Sequence, residues 1–574
     1  MRWHRQDPTG ITVTSAENNG RRRVWYVFAG VVALTPSAYF VYFPITNTDI
    51  WWHLAAAREM LSSKSILFVD PFAYTLERPE WIDIHWGFQL IVHWLRSTVG
   101  FGGIVITKCI VTAIVGALLM FVNRENRRRA ITALIFTFLI HEARYLVLAR
   151  PIMVTLPAIA LYLLVISEYY RTGKAKLFLL LIPVQLLWAN TQGLFVLGPV
   201  IAGGYAAGEA VSLIKRKNGS ISYHPRTFRA LLSVTIGAML VSFLNPYGWR
   251  GALLPFKLFG RIDPRFGNIY SQNVSENLPL RDMLTSEPRL AWITIGITLV
   301  SIFFLWAGRR RVRWGDVFVL LGFLWLAFSA QRNILLYFVV LTPFLGRSIA
   351  DILPGPTARD TSLHPRSAGA LSLVFFLFVW VVLALPAHAR TIALYPQNRM
   401  VSPFRVPAGA ADFIEKHGVT GRVFNTIRYG GYLIYRFYPD KQVFIDGRLV
   451  IRSPAFFAEY LAILDNPEYF EPVANKFSIT HAVLPISVYT RALPLVKALY
   501  DWPNWDPVYC DGNSIVFVGK GFFDLPVIDP LSPEGRAEIE AEIVSQWKND
   551  PAIRREAGYW LENLIGVLKS HDSR

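Results

Sequence analysis

The chain has 574 residues, of which 53% are hydrophobic, 14% aromatic and only 17% charged, and its mean hydropathy is +0.35. Soluble domains carry about 25% charged residues, so these figures exclude a disordered chain, a coiled coil and a small disulfide scaffold, and they indicate a polytopic membrane protein. The formal net charge is +18, but the basic residues stand in short runs between apolar spans, as in loops held on the cytoplasmic side of a membrane, which speaks against nucleic acid as a partner.

Residues 1–23 read as a cytoplasmic N-terminal tail ending in Arg21, Arg22 and Arg23. Apolar stretches follow at 24–44, 101–122, 130–148, 151–168, 176–190, 193–214, 229–245, 289–307, 315–329, 333–350 and 369–388. A bilayer needs roughly 20 apolar residues per helix, which predicts about eleven transmembrane helices within 24–389. The first span has no small-residue cleavage site after it and reads as a signal anchor with a cytoplasmic N-terminus. Every second loop is then basic: Arg124, Arg127, Arg128 and Arg129; Arg171, Lys174 and Lys176; Lys215, Arg216, Lys217, Arg226 and Arg229; Arg309, Arg310, Arg311 and Arg313. The alternate segments, with large loops at 45–100 and 246–288, are more acidic or mixed and fall outside. Cys109 lies in an apolar span and Cys510 far away in polar sequence, so neither a disulfide nor a cysteine metal site is expected.

The loop 45–100 opens with Thr46-Asn-Thr-Asp49-Ile-Trp-Trp-His53, directly after the first span. A carboxylate at the membrane surface loses hydration and gains basicity, as a general base requires. On a helix starting at Asp49, His53 shares its face. Plainer uses stand beside this one: Thr48 or Asp49 as an N-cap, and Trp51 and Trp52 in the interfacial aromatic belt. Farther on, Asp70-Pro71, Glu80-Trp81-Ile-Asp83 and His85-Trp86 alternate acids, histidines and tryptophans. Aromatic faces such as Trp52 with polar neighbours such as Asp70 and His85 suit sugar recognition; an amphipathic helix over 86–97 lying in the interface is the alternative.

Arg150, just before Pro151, and Arg332, in a short turn between spans, are arginines on the outer face, against the positive-inside trend. A guanidinium grips a phosphate with two prongs and stabilises it as it leaves; snorkelling to phospholipid head groups is the other use. Asn190, Gln192 and Asn333 at span ends either bind sugar hydroxyls or satisfy broken helix ends. Glu276, in Asn273-Val-Ser-Glu276 of the loop 246–288, is a candidate for acceptor or metal binding, or a solvated acid.

Near 390 the pattern changes. Short apolar runs at 421–425, 442–446 and 480–485 alternate with helical patterns at 453–464 and 489–499, which predicts an extracytoplasmic α/β domain over 390–531. Residues 532–574 form a helical segment started by Ser532-Pro533. Asp446-Gly447-Arg448 follows the apolar strand Val443-Phe-Ile445, a position that lines crevices in α/β units; an internal Asp446–Arg448 pair fixing a turn is the plainer reading. Gly430-Gly431 is expected to open the preceding helix. No Walker lysine motif, dinucleotide fingerprint or zinc-binding helix motif is present.

The Asp-x-Trp-Trp-His-x-Ala pattern at 49–55 and the Asp70-Pro71 step, in the first outer loop of a many-span chain with an external C-terminal domain, resemble the GT-C superfamily of polytopic glycosyltransferases and the first loop of oligosaccharyltransferase catalytic subunits. Arg150-Pro151, Trp188-Ala-Asn190, Asn245-Pro-Tyr-Gly-Trp249, Arg332-Asn333 and Phe444-Ile-Asp-Gly-Arg448 are similar to segments of a bacterial branch of such membrane proteins. The resemblance implies a GT-C-like α-helical polytopic fold in a bacterial cytoplasmic membrane. It also implies a polyprenyl-phosphate sugar donor and a glycan, lipid or protein acceptor. Asp49 would activate the acceptor or help hold a divalent metal. Oligosaccharyltransferases carry a second acidic pair in another outer loop, whereas His141-Glu142-Ala-Arg144 has one acid, which puts metal dependence in question. Gln192 stands where that branch has a histidine, which makes an acid–base role there unexpected. A lipid-linked glycan transporter and a non-catalytic membrane scaffold are the rival readings; the mid-span acids of pumps are missing.

Overall fold

The structure, a computed structural model, describes residues 30, 32–75, 80–215, 225–262, 269–308, 312–353, 365–393 and 400–570. The tail 1–23, residues 24–29 and 31 of the first expected span, and Arg216, Lys217, Arg309, Arg310 and Arg311 of the basic loops lie outside the described residues.

Among the described residues, six helices are long and apolar enough to cross a membrane: Trp86–Val122, Ile152–Thr172, Gly193–Ser212, Pro288–Ala307, Gln331–Ile352 and Ala368–Ala393. Two shorter apolar helices, Ala175–Ala189 and Trp314–Ser329, lie among them. The expected spans 130–148 and 229–245 correspond to the helices Asn126–Ala143 and Pro225–Val241. Gly100, at φ +78°, breaks Trp86–Val122. Glycine takes that backbone at little steric cost, and the break separates the amphipathic stretch expected at 86–97 from the span expected at 101–122.

Helix Ile334–Ile352 is apolar nearly all round and buried over most of its length, the mark of a central helix. It packs against Asn126–Ala143, Trp314–Ser329 and Pro288–Ala307. Leu299, Ile302, Phe375, Phe378 and Leu383 on peripheral helices are exposed, as side chains facing lipid must be. A Cβ on Gly208 would run into the backbone of Gly315; small residues let membrane helices approach this closely. Polar pairs gather at the ends of the central helix. Arg332 lies in the turn at its start. At its other end Arg347 pairs with Asp316 at 2.7 Å and Asp351 with Arg128 at 2.7 Å.

The C-terminal region contains one four-stranded sheet in the order β1-β2-β4-β3: β1 Arg422–Asn425, β2 Ile479–Pro485, β3 Trp505–Cys510 and β4 Ser514–Gly519. β1 runs parallel to β2, and β4 is antiparallel to both β2 and β3. Helices Pro454–Asp465 and Leu493–Asp501 match the expected helical patterns. The chain closes with Pro533–Gln546 and Pro551–Lys569, the former capped by Ser532, whose hydroxyl accepts from Gly535 N at 3.0 Å.

Two expectations are corrected here. Segment 442–446 is not a strand of the sheet, because its backbone groups are taken elsewhere. Val443 N donates to Phe72 O and accepts, through its carbonyl, from Tyr74 N, while Asn425 bonds to Phe444 N and Ile445 O. Gly430 and Gly431 do not open a helix; they lie inside Ile427–Phe437. A Cβ on Gly430 would strike Ile445 O, and one on Gly431 would lie 2.8 Å from Thr48 O. The two glycines let the C-terminal region close directly onto the start of the first loop, and one apolar cluster spans both, joining Trp51, Trp52, Phe72 and Trp81 to Tyr429, Leu433 and Val483.

Candidate active site

Asp49 is the first residue of helix Asp49–Ser63. Thr48 occupies the cap position but makes no side-chain cap bond. Trp51 and Trp52 are buried within the protein, Trp51 against Phe101, Tyr432 and Tyr435. Asp49 itself stays partly exposed. Asp49 Oδ2 accepts from Arg150 Nη2 at 2.8 Å, and Asp49 Oδ1 from Trp52 Nε1 at 3.4 Å. Arg150 Nη1 also lies 2.5 Å from Glu276 Oε2. Arg332 acts electrostatically on Glu276 and Arg150. It is exposed and makes no hydrogen bond or ion pair among the described residues. Its turn is held beside Glu276 because Gln331 N donates to Leu278 O at 2.9 Å.

Three residues from distant parts of the sequence thus pair with one another, and Arg332, from a fourth, adds its charge beside them. The side chains of Asp49, Arg150 and Glu276 keep 24%, 23% and 33% of their surface. Burial raises the Asp49 carboxyl above its usual range, with the Arg150 charge opposing and Glu276 adding to the rise. Burial would raise Glu276 as well, but the charge and hydrogen bond of Arg150, helped by Arg332, hold it below the ordinary value. One carboxylate is therefore a stronger base than usual and its neighbour a weaker one.

His53 lies behind Trp52, ring centroids 3.6 Å apart, and meets His85 at 5.7 Å. Burial, then His85, Arg150 and Arg448, push its pKa well down, so it is a neutral imidazole lining the back of the site. His85 is held at about 4 by burial, against a hydrogen bond that its ring donates to Gln192. Asn190 accepts from Trp86 Nε1 at 3.1 Å and donates to Leu186 O and Leu244 O. Asn333 donates to Leu326 O at 3.1 Å. Both asparagines hold helix ends.

Asp70, Asp446 and Arg448 form a buried lock. Arg448 meets Asp446 with two prongs at 2.8 Å each and Asp70 at 2.7 Å, between the rings of Trp81 and Phe72. The lock ties the first loop to the C-terminal region, and Gly447 at its turn touches the site: a Cβ there would lie 2.5 Å from Asp49 Oδ1. Tyr270 OH donates to Arg452 O at 2.7 Å, which fastens the Glu276 loop to the same region. Gly447 and Gly431 are not identified as parts of this site by the sequence; the Asp-Gly-Arg and Gly-Gly steps are their only signal.

Burial pushes the Asp83 carboxyl up to about 7, against the opposing influence of the Gln89 amide and a hydrogen bond from the His85 N–H. The folded chain holds a proton there that the unfolded chain gives up, so this group costs stability as pH rises from about 4 through about 7. Asp83→Asn is expected to flatten that decline, read as thermal midpoints across the pH range by tryptophan fluorescence.

The site does not fit a divalent cation. Among the described residues no three His, Cys, Asp or Glu side chains converge, and the Arg150 guanidinium fills the space between Asp49 and Glu276. Glu142 pairs with His141 at 2.7 Å and accepts from Trp380 at 2.9 Å. A cavity of about 1040 Å³ lies away from this chemistry, lined by Arg124, Arg129, Arg171 and leucines.

No protein-family description and no curated protein matches the chain. Among solved structures it is similar to the archaeal oligosaccharyltransferase AglB from Archaeoglobus fulgidus in complex with an inhibitory peptide and a dolichol-phosphate, at 13% identity and a TM-score of 0.53, over 95% of this chain and 85% of that one. It is likewise similar to the Archaeoglobus fulgidus oligosaccharyltransferase tethered to an acceptor peptide, at 13% identity and 0.53, over 89% and 76%. ArnT from Cupriavidus metallidurans bound to undecaprenyl phosphate aligns at 13% identity and 0.46, over 89% and 100%. The chain shares its fold with these oligosaccharyltransferase structures.

Proposed function

We propose that this integral membrane protein moves a sugar from a polyprenyl-phosphate-linked donor to an acceptor hydroxyl on the outer face of the cytoplasmic membrane. The carrying observation is that Arg150 pairs with both Asp49 and Glu276 and that Arg332 adds its charge at Glu276, which brings two carboxylates and two guanidinium groups together. AglB, whose fold the chain shares, is an oligosaccharyltransferase whose structure is in complex with an inhibitory peptide and a dolichol-phosphate.

Asp49, with its raised basicity, takes the proton from the acceptor hydroxyl. The acceptor oxygen attacks the anomeric carbon as the bond to phosphate breaks. The electron pair leaves on the polyprenyl phosphate, where unpaired Arg332 meets the developing charge, supported by the field of Arg150. A single displacement inverts the sugar carbon. Trp52 and His85 border the acceptor side. The N-terminus lies in the cytoplasm and the region after 390 outside, as the basic loops require. The scaffold and transporter readings predict dispersed polar residues or mid-span acids, so the meeting of two carboxylates and two arginines favours the enzyme.

The test is transfer of radiolabelled sugar from a panel of polyprenyl-phosphate sugars in reconstituted membranes. Arg332→Ala is expected to lower transfer about 100- to 1,000-fold, as loss of one donor to a developing anion does. No transfer by folded protein from any donor would sink the proposal.

A further inference from the structure

Two partly exposed carboxylates brought close together ordinarily invite a divalent cation. Here the cation's place is taken by the protein itself. Arg150 Nη2 holds Asp49 Oδ2 at 2.8 Å, and Nη1 bonds to both carboxylate oxygens of Glu276. A magnesium ion would need those same oxygens at about 2.0–2.1 Å in octahedral array, and the guanidinium stands between them. The charge count agrees. Two carboxylates, Arg150 and Arg332 already balance, so a further doubly positive ion would face two guanidinium groups. Asp446, the other acid acting on Asp49, is neutralised by Arg448. A guanidinium also stays protonated throughout the working pH range.

We propose that Arg150 is the resident cation of this site: a positioning residue that holds Asp49 and Glu276 in place of a divalent metal, leaving Asp49 Oδ1 for the acceptor proton. Only that last role rests on the glycosyltransferase reading. Because Arg150 takes one oxygen of Asp49 and both of Glu276, removing its side chain uncovers a vacant two-carboxylate seat. A lysine, with one compact charge, keeps the seat filled but loses the fork.

Manganese alone is the probe, titrated into the purified full-length protein and followed by loss of the free-ion electron paramagnetic resonance signal. The wild type is expected to take up no manganese at Asp49, so that Asp49→Asn leaves its binding curve unchanged. Arg150→Ala is expected to gain one site, at least about tenfold tighter than any in the wild type. That gain disappears in Arg150→Ala/Glu276→Gln and is absent in Arg150→Lys. A wild-type site abolished by Asp49→Asn would overturn the proposal, and so would a folded Arg150→Ala that gains none. The wild-type titration decides even where Arg150→Ala does not fold. Binding is read without any sugar, so an absence of transfer would defeat the proposed function and leave this result standing. Wild-type transfer abolished by chelator and restored by a divalent ion would defeat Arg150 as the resident cation alone.

Discussion

Replacing Asp49 with Asn is expected to lower sugar transfer by about 100- to 10,000-fold, the range that a positioned general base contributes. The substitution keeps the shape and the contact with Trp52 Nε1 and removes the ionisable group. Burial raises the Asp49 carboxyl, with Arg150 opposing, and the base acts deprotonated. Wild-type transfer should therefore fall as pH drops through that raised value, and the residual activity of Asp49→Asn should lack this limb. Rate–pH profiles of both proteins in reconstituted membranes check the point. Undiminished transfer in Asp49→Asn would move the base to another acid of the first loop.

The second large effect concerns assembly of the site. Arg448→Met is expected to destabilise the protein by about 3–5 kcal/mol, because removing one partner of a buried ion pair leaves uncompensated charge. Here two carboxylates, Asp70 and Asp446, would lose their partner, each with at most 1% of its side chain exposed. Burial works against ionised Asp446, and Arg448 overcomes it and holds the carboxyl below its ordinary value. In the wild type the contribution of this lock is thus kept at neutral pH and lost as pH falls through that lowered value. Arg448→Lys keeps the charge without the two-pronged geometry and should fall between. Thermal unfolding followed by tryptophan fluorescence reads all three proteins; an unshifted midpoint in Arg448→Met would show that the lock contributes nothing. The loss should reach Asp49 too, since Gly447 in the same turn packs against its carboxylate.

Much of the helical architecture was legible because lipid is a demanding solvent: long apolar runs have few alternatives to helix. The exceptions are instructive. The run at 442–446 reads as a strand by composition, yet Phe72, Tyr74 and Asn425 claim its backbone groups first. Gly430-Gly431 reads as the opening of a helix, yet both lie inside helix Ile427–Phe437, where bare backbone is what Thr48 and Ile445 pack against. Local propensity carries no information about such partners.

The sequence by itself determined the apolar spans, the alternation of basic loops and the residue types able to act on a phosphate or a hydroxyl, since these depend on side-chain hydration taken one segment at a time. Only the tertiary structure decided which of them meet. Asp49, Arg150, Glu276 and Arg332 are far apart along the chain, and their convergence depends on helix packing and on the C-terminal region closing over the first loop. It also separated the two arginines. Arg150 is held by two carboxylates, whereas Arg332 acts on Glu276 through its charge and makes no ion pair among the described residues. That difference arises from the distances at which charges come to rest, and a linear pattern does not encode them.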